Sequence, residues 1–302
     1  MSRDHVTLIE VGLRDGLQNE ATPVSAQQRA HWFNQLAAAG LPRIEAGSFV
    51  SPRWVPQMAD TDQVIAAIER RGGTQVEVLV PNQRGLESAL AAGVDRIALF
   101  TAASDAFTQK NINCTVSESI ARFRPLVSAA REAGIPVRGY VSTIVGCPYA
   151  GAITPKAVAG VCEQLLAMGI DDISLGDTIG VARPLEIDRV LDAVLPLMPA
   201  ERLALHCHDT YGQALANVLQ GLQRGIRSFD SAVAGLGGCP YAKGASGNLA
   251  TEDLLYLLAG QGLHTGVDPQ AVQAVGEDIC RVLKRNTPSK VAQAVQAANR
   301  PT

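Results

Sequence analysis

No stretch of this chain stays apolar for the roughly 20 residues that a bilayer-spanning helix needs, which excludes a transmembrane anchor. Charge of one sign is equally scarce. The 26 Lys and Arg face 29 Asp and Glu, and a formal net charge of -3 gives no footprint for nucleic acid or an anionic membrane surface. The opening Met1-Ser2-Arg3-Asp4-His5 has neither the apolar core of a secretory signal nor the Arg/Ser-rich pattern of an organelle leader, so a cytoplasmic location is expected. Six cysteines, Cys114, Cys147, Cys162, Cys207, Cys239 and Cys280, lack ligand-type spacing, which favours free thiols in a reducing compartment over a disulfide framework. No linker, charge block or low-complexity segment divides the chain, and residues 1–302 read as one catalytic domain. What is present is apolar substance: 47% of 302 residues are hydrophobic, enough for the core of one barrel or of two smaller units.

From Val6 onward, short β-rich runs alternate with Ala/Leu/Gln segments of helical period. Strands are expected over residues 6–11, 43–46, 75–80, 95–101, 136–143, 171–175, 202–206 and 228–233. Helices are expected over residues 25–39, 61–71, 84–92, 117–133, 155–168, 184–197 and 213–224, with another from about residue 248 or 251. Ser25 is a suitable N-cap and Gly40 a stop for the first helix. Alternation of this kind implies a parallel sheet. Eight repeats over about 260 residues fit a closed (β/α)8 TIM barrel better than the rival open, doubly wound sheet. Residues from about 267 onward form a C-terminal helical extension.

A barrel places its chemistry where strands end and βα loops begin. Polar residues gather at those positions: Arg14, Asp15, Gln18, Asn19 and Glu20 after strand one, Glu45 and Ser48 at the end of strand two, Thr143 after strand five, and Asp177 with Thr178 after strand six. His206 and His208 end strand seven, and the loop after strand eight carries Cys239 and Asn248. Asp172, Glu69 and Arg70 fall elsewhere and read as solvated charges.

In Leu205-His206-Cys207-His208-Asp209-Thr210, residues i and i+2 share a strand face, so both imidazoles project together. Two buried imidazoles need partners. These are either nearby loops or a metal, which satisfies both at once. Asp15 lies beside them once strand one closes on strand eight, and Asn248 offers a carboxamide oxygen, unless it instead caps the helix that follows. Two nitrogens with two oxygens favour Mg2+ or Mn2+ over Zn2+. Arg14, next to Asp15, can stabilise negative charge on a substrate oxygen, or form a plain ion pair with Glu45 or Asp177. Glu45 and Asp177 read as a carboxylate pair for base work or orientation. The run Ala234-Gly235-Leu236-Gly237-Gly238-Cys239-Pro240-Tyr241 presents a thiol on a glycine-rich loop; Gly237 and Gly238 allow close backbone approach, and Cys239 is either a proton-transfer group or inert packing. No helix follows those glycines at once, which argues against a nucleotide loop. Cys147, in a second Cys-Pro-Tyr, reads as loop structure lining the site; Cys114, Cys162, Cys207 and Cys280 read as core, and His31 and His264 as bland.

Glu10-Val-Gly-Leu-Arg-Asp-Gly-Leu-Gln-Asn-Glu20 and Ser231-Ala-Val-Ala-Gly-Leu-Gly-Gly-Cys-Pro-Tyr241 together resemble the 3-hydroxy-3-methylglutaryl-CoA lyase family. Ser48-Phe-Val-Ser-Pro52, Asn111-Ile-Asn-Cys114, Ser174-Leu-Gly-Asp-Thr-Ile-Gly180 and His206-Cys-His-Asp-Thr-Tyr-Gly-Gln-Ala-Leu-Ala-Asn217 extend the likeness, which runs from about Val6 to Val295. The resemblance implies cleavage of the acyl-CoA to acetoacetate and acetyl-CoA, as in leucine breakdown. It implies that Asp15, His206, His208 and Asn248 bind one divalent cation, that Arg14 is catalytic and that Cys239 takes part in proton transfer. Glu45, Asp177 and Glu252 match further positions near the site. Leu13 stands where many relatives have proline, and the ending Ala298-Asn-Arg-Pro-Thr302 lacks the terminal cysteine of animal relatives, so no redox control through such a residue is expected. Three rivals remain: a lyase for a longer-branched 3-hydroxyglutaryl-CoA, a condensing synthase of the isopropylmalate or homocitrate type, and a non-catalytic barrel that binds a CoA thioester or a protein. A homodimer is expected.

Overall fold

The computed structural model describes residues 4–70, 73–238 and 247–299. Eight parallel strands close a barrel: β1 (Thr7–Glu10), β2 (Arg43–Ser48), β3 (Gln75–Leu79), β4 (Arg96–Ala102), β5 (Val137–Ser142), β6 (Asp172–Asp177), β7 (Leu203–Cys207) and β8 (Ser228–Ser231). Closure is made by β1 against β8, with Thr7 opposite Ser228 and Glu10 opposite Ser231. The fold is the (β/α)8 barrel expected from the alternating pattern.

The helices are α1 (Ala26–Ala38), α2 (Thr61–Ala66), α3 (Gln83–Ala92), α4 (Asp105–Ile112), α5 (Val116–Glu132), α6 (Pro155–Met168), α7 (Pro184–Val194), α8 (Ala214–Gln223), α9 (Thr251–Gly260), α10 (Pro269–Leu283) and α11 (Lys290–Ala298). Their starts follow capping chemistry: Ser25 accepts from the Gln28 amide, Thr154 from the Ala157 amide, and Thr115 forms a capping box with Glu118. Two differences from the periodic reading have local causes. Helix α2 ends at Ala66 instead of residue 71, because Asn34 Oδ1 takes the Glu69 amide (2.9 Å) that a longer helix would have turned inward. Helix α4, not expected from the sequence, is set by Ser104, whose hydroxyl accepts from the Phe107 amide.

The main apolar core lies between barrel and helices, where Leu8, Ile44, Val76, Ile97, Val137, Ile173 and Leu205 meet Trp32, Leu86, Ile120, Leu165 and Leu191. The C-terminal extension is docked onto the barrel. Trp32 Nε1 donates to Asp278 on α10 (2.7 Å), and Ser289 at the start of α11 donates to Asp253 (2.6 Å).

The inside of the barrel is charged. Residues facing it step by two along each strand, as pleating requires: Arg43 and Glu45, Arg96 and Ala98, Arg138 and Tyr140, Asp172 and Ser174. At the N-terminal end of the strands, Arg43 Nη1 meets Asp172 Oδ2 at 2.9 Å and Arg43 Nε meets Glu77 Oε2 at 2.6 Å. Arg96 also pairs with Asp172, and Arg138 Nε lies 3.5 Å from the same carboxylate. Asp172 is therefore the hub of a buried ionic floor, and the sequence reading of it as a solvated charge is corrected; Arg70 is exposed, as expected, and meets Asp95. Three guanidiniums converge on Asp172 and hold its carboxyl below the ordinary value despite burial.

Candidate active site

Strand β1 ends in a single π-helical turn, Gly12–Gly16, in which the Gly16 amide donates to Val11 O (3.2 Å). Such turns widen the backbone locally and recur at functional positions. This one sets Arg14 and Asp15 side by side over the mouth of the barrel, and a ring of contacts runs from them. Arg14 Nε donates to Glu45 Oε2 (2.7 Å) and its Nη1 to Asp15 Oδ1 (2.7 Å). Tyr140 OH donates to Glu45 Oε1 (3.0 Å), and its ring lies 5.4 Å beneath the Arg14 guanidinium carbon. Arg138 Nη1 reaches Tyr140 OH (3.4 Å) while Nη2 donates to Asp230 Oδ1 (2.6 Å). Asp230 Oδ2 faces His206 Nδ1 (3.1 Å), and His206 Nε2 stands 4.0 Å from Asp15 Oδ2, which closes the ring.

Asp15, His206 and His208 each offer a ligand atom, all within 4.8 Å of one another. The two imidazole centroids are 5.3 Å apart, as the i, i+2 spacing predicts. Asn248 joins the group: its Nδ2 donates to Asp15 Oδ2 (3.0 Å) and to Leu236 O (3.0 Å). Helix α9 starts only at Thr251, preceded by Ala250, so Asn248 does not cap it. Two imidazole nitrogens and a carboxylate suit a divalent cation, while the end of Asn248 that faces Asp15 is its NH2. His208 Nδ1 fits the same reading, because it is buried with no hydrogen-bond partner among the described residues.

Burial would raise the Asp15 carboxyl, but Arg14 and both histidines hold it below its ordinary value. Burial pushes Glu45 up to about 7 against the pull of Arg14. Burial, with His206 beside it, drives His208 down to about 4. His206 goes the other way: burial opposes its charge, yet the hydrogen bond to Asp230 raises it.

Gln18 belongs to the cluster, donating to Asp15 Oδ1 at 3.3 Å. Gly237 is required beside it. Its φ of +113° is left-handed, and a Cβ there would come within 2.8 Å of Asn248 Nδ2. Gly238 O accepts from Asn19 Nδ2 (3.3 Å). Three expected residues serve the loops. Ser48 Oγ accepts from the Val50 amide; Thr143 is left-handed (φ 57°) and donates to Ser142 O; Cys147 Sγ accepts from Ser104 Oγ and the Tyr149 and Ala150 amides.

Two expectations need correction. Glu45 and Asp177 do not form a pair. They lie on strands on opposite sides of the barrel, Glu45 within β2 and Asp177 at the end of β6, and Asp177 accepts from the Val181 (3.1 Å) and Ala182 (2.9 Å) amides. Burial pushes its carboxyl up to about 6. Arg14 accordingly pairs with Glu45, and no described contact joins it to Asp177. Glu252 has no described bond to the cluster either; both its oxygens accept the amide of Ala234, a left-handed residue (φ 56°) at the base of the glycine loop. Cys239 lies outside the described residues. Sequence reasoning missed Tyr140, Arg138, Asp230 and Ser174, although each is a polar residue inside an apolar strand, which is a usable signal.

A family model described as HMGL-like matches residues 5–279. The chain belongs to the hydroxymethylglutaryl-CoA lyase family. It is 56% identical over 289 residues to the mitochondrial hydroxymethylglutaryl-CoA lyase of Bos taurus, covering 96% of this chain and 89% of that protein. A crystal structure of hydroxymethylglutaryl-CoA lyase from Pseudomonas aeruginosa superposes with a TM-score of 0.95 at 52% identity, over 98% of each chain. An HMG-CoA lyase from Acinetobacter baumannii, solved with coenzyme A and 3-methylmalate, gives 0.94 at 37% identity, over 100% of this chain and 99% of that one. Among hydroxymethylglutaryl-CoA lyases, then, this chain carries the full barrel, and no described helix is long and apolar enough to cross a membrane.

Proposed function

We propose that this chain is a carbon–carbon lyase that splits (S)-3-hydroxy-3-methylglutaryl-CoA into acetoacetate and acetyl-CoA, with Mg2+ or Mn2+ as cofactor. The observation that carries the reading is the meeting of Asp15, His206 and His208 beside the Arg14 guanidinium, in a chain of this family. Asp15, His206, His208 and Asn248 would hold the ion. The chemistry it supplies when bound is Lewis-acid polarisation of substrate oxygens.

The remaining demands fall on side chains. The C3 hydroxyl gives its proton to a water, the C2–C3 bond breaks as C3 becomes a carbonyl, and the bond's electron pair moves onto the thioester as an enolate. Arg14 is placed to meet that oxygen as its charge grows, and Glu45 and Tyr140 fix its orientation. With both oxygens of Glu45 engaged and its side chain wholly buried, orientation is the role we assign to it. Asp177 steadies the loop after β6 beside His206. C2 takes its proton from Cys239 or a water, while His206 serves as a ligand. Gln18, Gly237 and Gly238 support Asp15, Asn248 and Asn19; Ser48, Thr143 and Cys147 shape loops at the rim; Glu252 braces the base of the glycine loop.

We take residues 1–302 as one catalytic domain acting as a homodimer. The five described cysteines are buried and unpaired, which supports a reducing compartment such as the cytoplasm.

Acetoacetate release from a panel of CoA thioesters tests the assignment. Activity on the 3-hydroxy-3-methylglutaryl thioester should vanish with EDTA and return with Mg2+ or Mn2+. Preference for a longer-branched thioester would redirect the substrate, net condensation would identify a synthase, and EDTA-resistant turnover would remove the metal from the scheme.

A further inference from the structure

The two histidines of the cluster are supported in opposite ways. His208 Nδ1 is buried with no hydrogen-bond partner among the described residues. His206 Nδ1 faces a carboxylate that is itself fixed on every side. Asp230 Oδ1 accepts from Arg138 Nη2 at 2.6 Å, and Oδ2 accepts from Ser174 Oγ at 2.8 Å while lying 3.1 Å from His206 Nδ1. Asp230 sits in mid-strand β8, opposite His206 of β7 in the sheet register, so the contact is built into the barrel and owes nothing to a loop.

We propose that Asp230 is the positioning residue of the site: it holds the proton of His206 on Nδ1 and leaves the Nε2 lone pair aimed toward Asp15. Arg138 and Ser174 keep Asp230 in place. The inference rests on the lyase reading only for the nature of the ion. The carboxylate has no proton to give, so a neutral imidazole must donate through Nδ1, and Nε2 is then the free ligand atom.

The replacement Asp230→Asn follows from the same geometry. A carboxamide must turn its oxygen to the Arg138 guanidinium, because an NH2 there would face a cationic donor. Its NH2 then occupies the Oδ2 position, against Ser174 and His206 Nδ1. The imidazole has to accept at Nδ1, its proton moves to Nε2, and the ligand lone pair is gone. A purely structural role for Asp230 would lower stability without moving that proton.

The test uses the full chain without substrate. Ring 15N shifts of His206 in the metal-free protein, at a pH where the ring is neutral, should show Nδ1 protonated, and Asp230→Asn should show Nε2 protonated. Titration with Mn2+ alone should give a Kd raised by about 10- to 100-fold in Asp230→Asn, and within about threefold of wild type in Ser174→Ala, which keeps the carboxylate. A wild-type ring carrying its proton on Nε2 overturns the proposal. So does an Asp230→Asn chain with unchanged Mn2+ affinity. The wild-type tautomer needs no variant, so a misfolded Asp230→Asn would not shield the claim. Wild-type protein that binds no Mn2+ while keeping the Nδ1 proton would strike the lyase reading and leave the positioning assignment standing.

Discussion

The two ends of the barrel interior are both built from buried charge, yet they do opposite things. At the floor, Arg43, Arg96 and Arg138 converge on Glu77 and Asp172, and each polar atom left there without a hydrogen bond, Glu77 Oε1 among them, stands within 3.9 Å of an opposite charge. At the mouth, Arg14, Glu45 and Asp230 are just as deeply buried, but two imidazoles gather there on one carboxylate, and His208 Nδ1 has no hydrogen-bond partner among the described residues. Buried charge does not by itself mark a site. What separates the two regions is the kind of group: the floor sets guanidinium against carboxylate, while the mouth gathers imidazole and carboxylate donors that a cation can join.

The sharpest way to break this comparison is Arg14→Gln. It should lower kcat by about 10²- to 10³-fold, the cost of one lost charge-stabilising donor. Mn2+ affinity should change less than tenfold, since Gln18 and Asn248 still hold Asp15. Equal losses in kcat and in affinity would show that the guanidinium serves binding alone. The counterpart at the floor is Arg43→Met, expected to cost about 3 kcal/mol in urea denaturation by stranding part of Glu77 and Asp172. The folded fraction of that variant should keep its kcat; a loss of turnover per folded molecule would erase the division between the two ends.

Glu252→Gln sharpens the boundary between site and support. Its buried carboxyl is raised from 4.5 to about 8, so across that window the folded chain retains a proton the unfolded chain has released. Stability of the wild type should therefore fall as pH rises from about 5 to 8, by on the order of 2 kcal/mol from this group. The amide variant should flatten that slope in Tm against pH, and an unchanged slope would mean that Glu252 is ionised in the fold. The smallest effect belongs to Gly237→Ala, which crowds Asn248 at a left-handed position. Mn2+ should bind it about threefold to tenfold more weakly; unaltered binding would release Asn248 from the ligand set.

The architecture was legible because alternation of strand and helix is periodic, and because caps such as Ser25 and Thr154 stand at the right places. Asp15, His206, His208, Asn248 and Arg14 were legible because strand ends in a barrel converge. The π turn at Gly12–Gly16 was not, since five residues carry no period. Asp172 was misread because a lone carboxylate opening a strand resembles a solvent-facing one until three arginines from other strands are counted. Glu45 and Asp177 were joined in error because position along the chain does not tell which side of a closed barrel each occupies. Arg138 and Asp230 are the instructive omission. Charged residues inside apolar strands were passed over in favour of those in loops, and they turn out to bond His206 from within the barrel.

The ring of contacts that links Arg14, Glu45, Tyr140, Arg138, Asp230, His206 and Asp15 draws on β1, β2, β5, β7 and β8, from near the beginning of the chain to well past its middle. During synthesis, an emerging polypeptide cannot assemble a cation-binding pocket until the eighth strand has left the ribosome and met the first. On the proposed metal reading, assembly of the full ligand set waits for closure of the barrel.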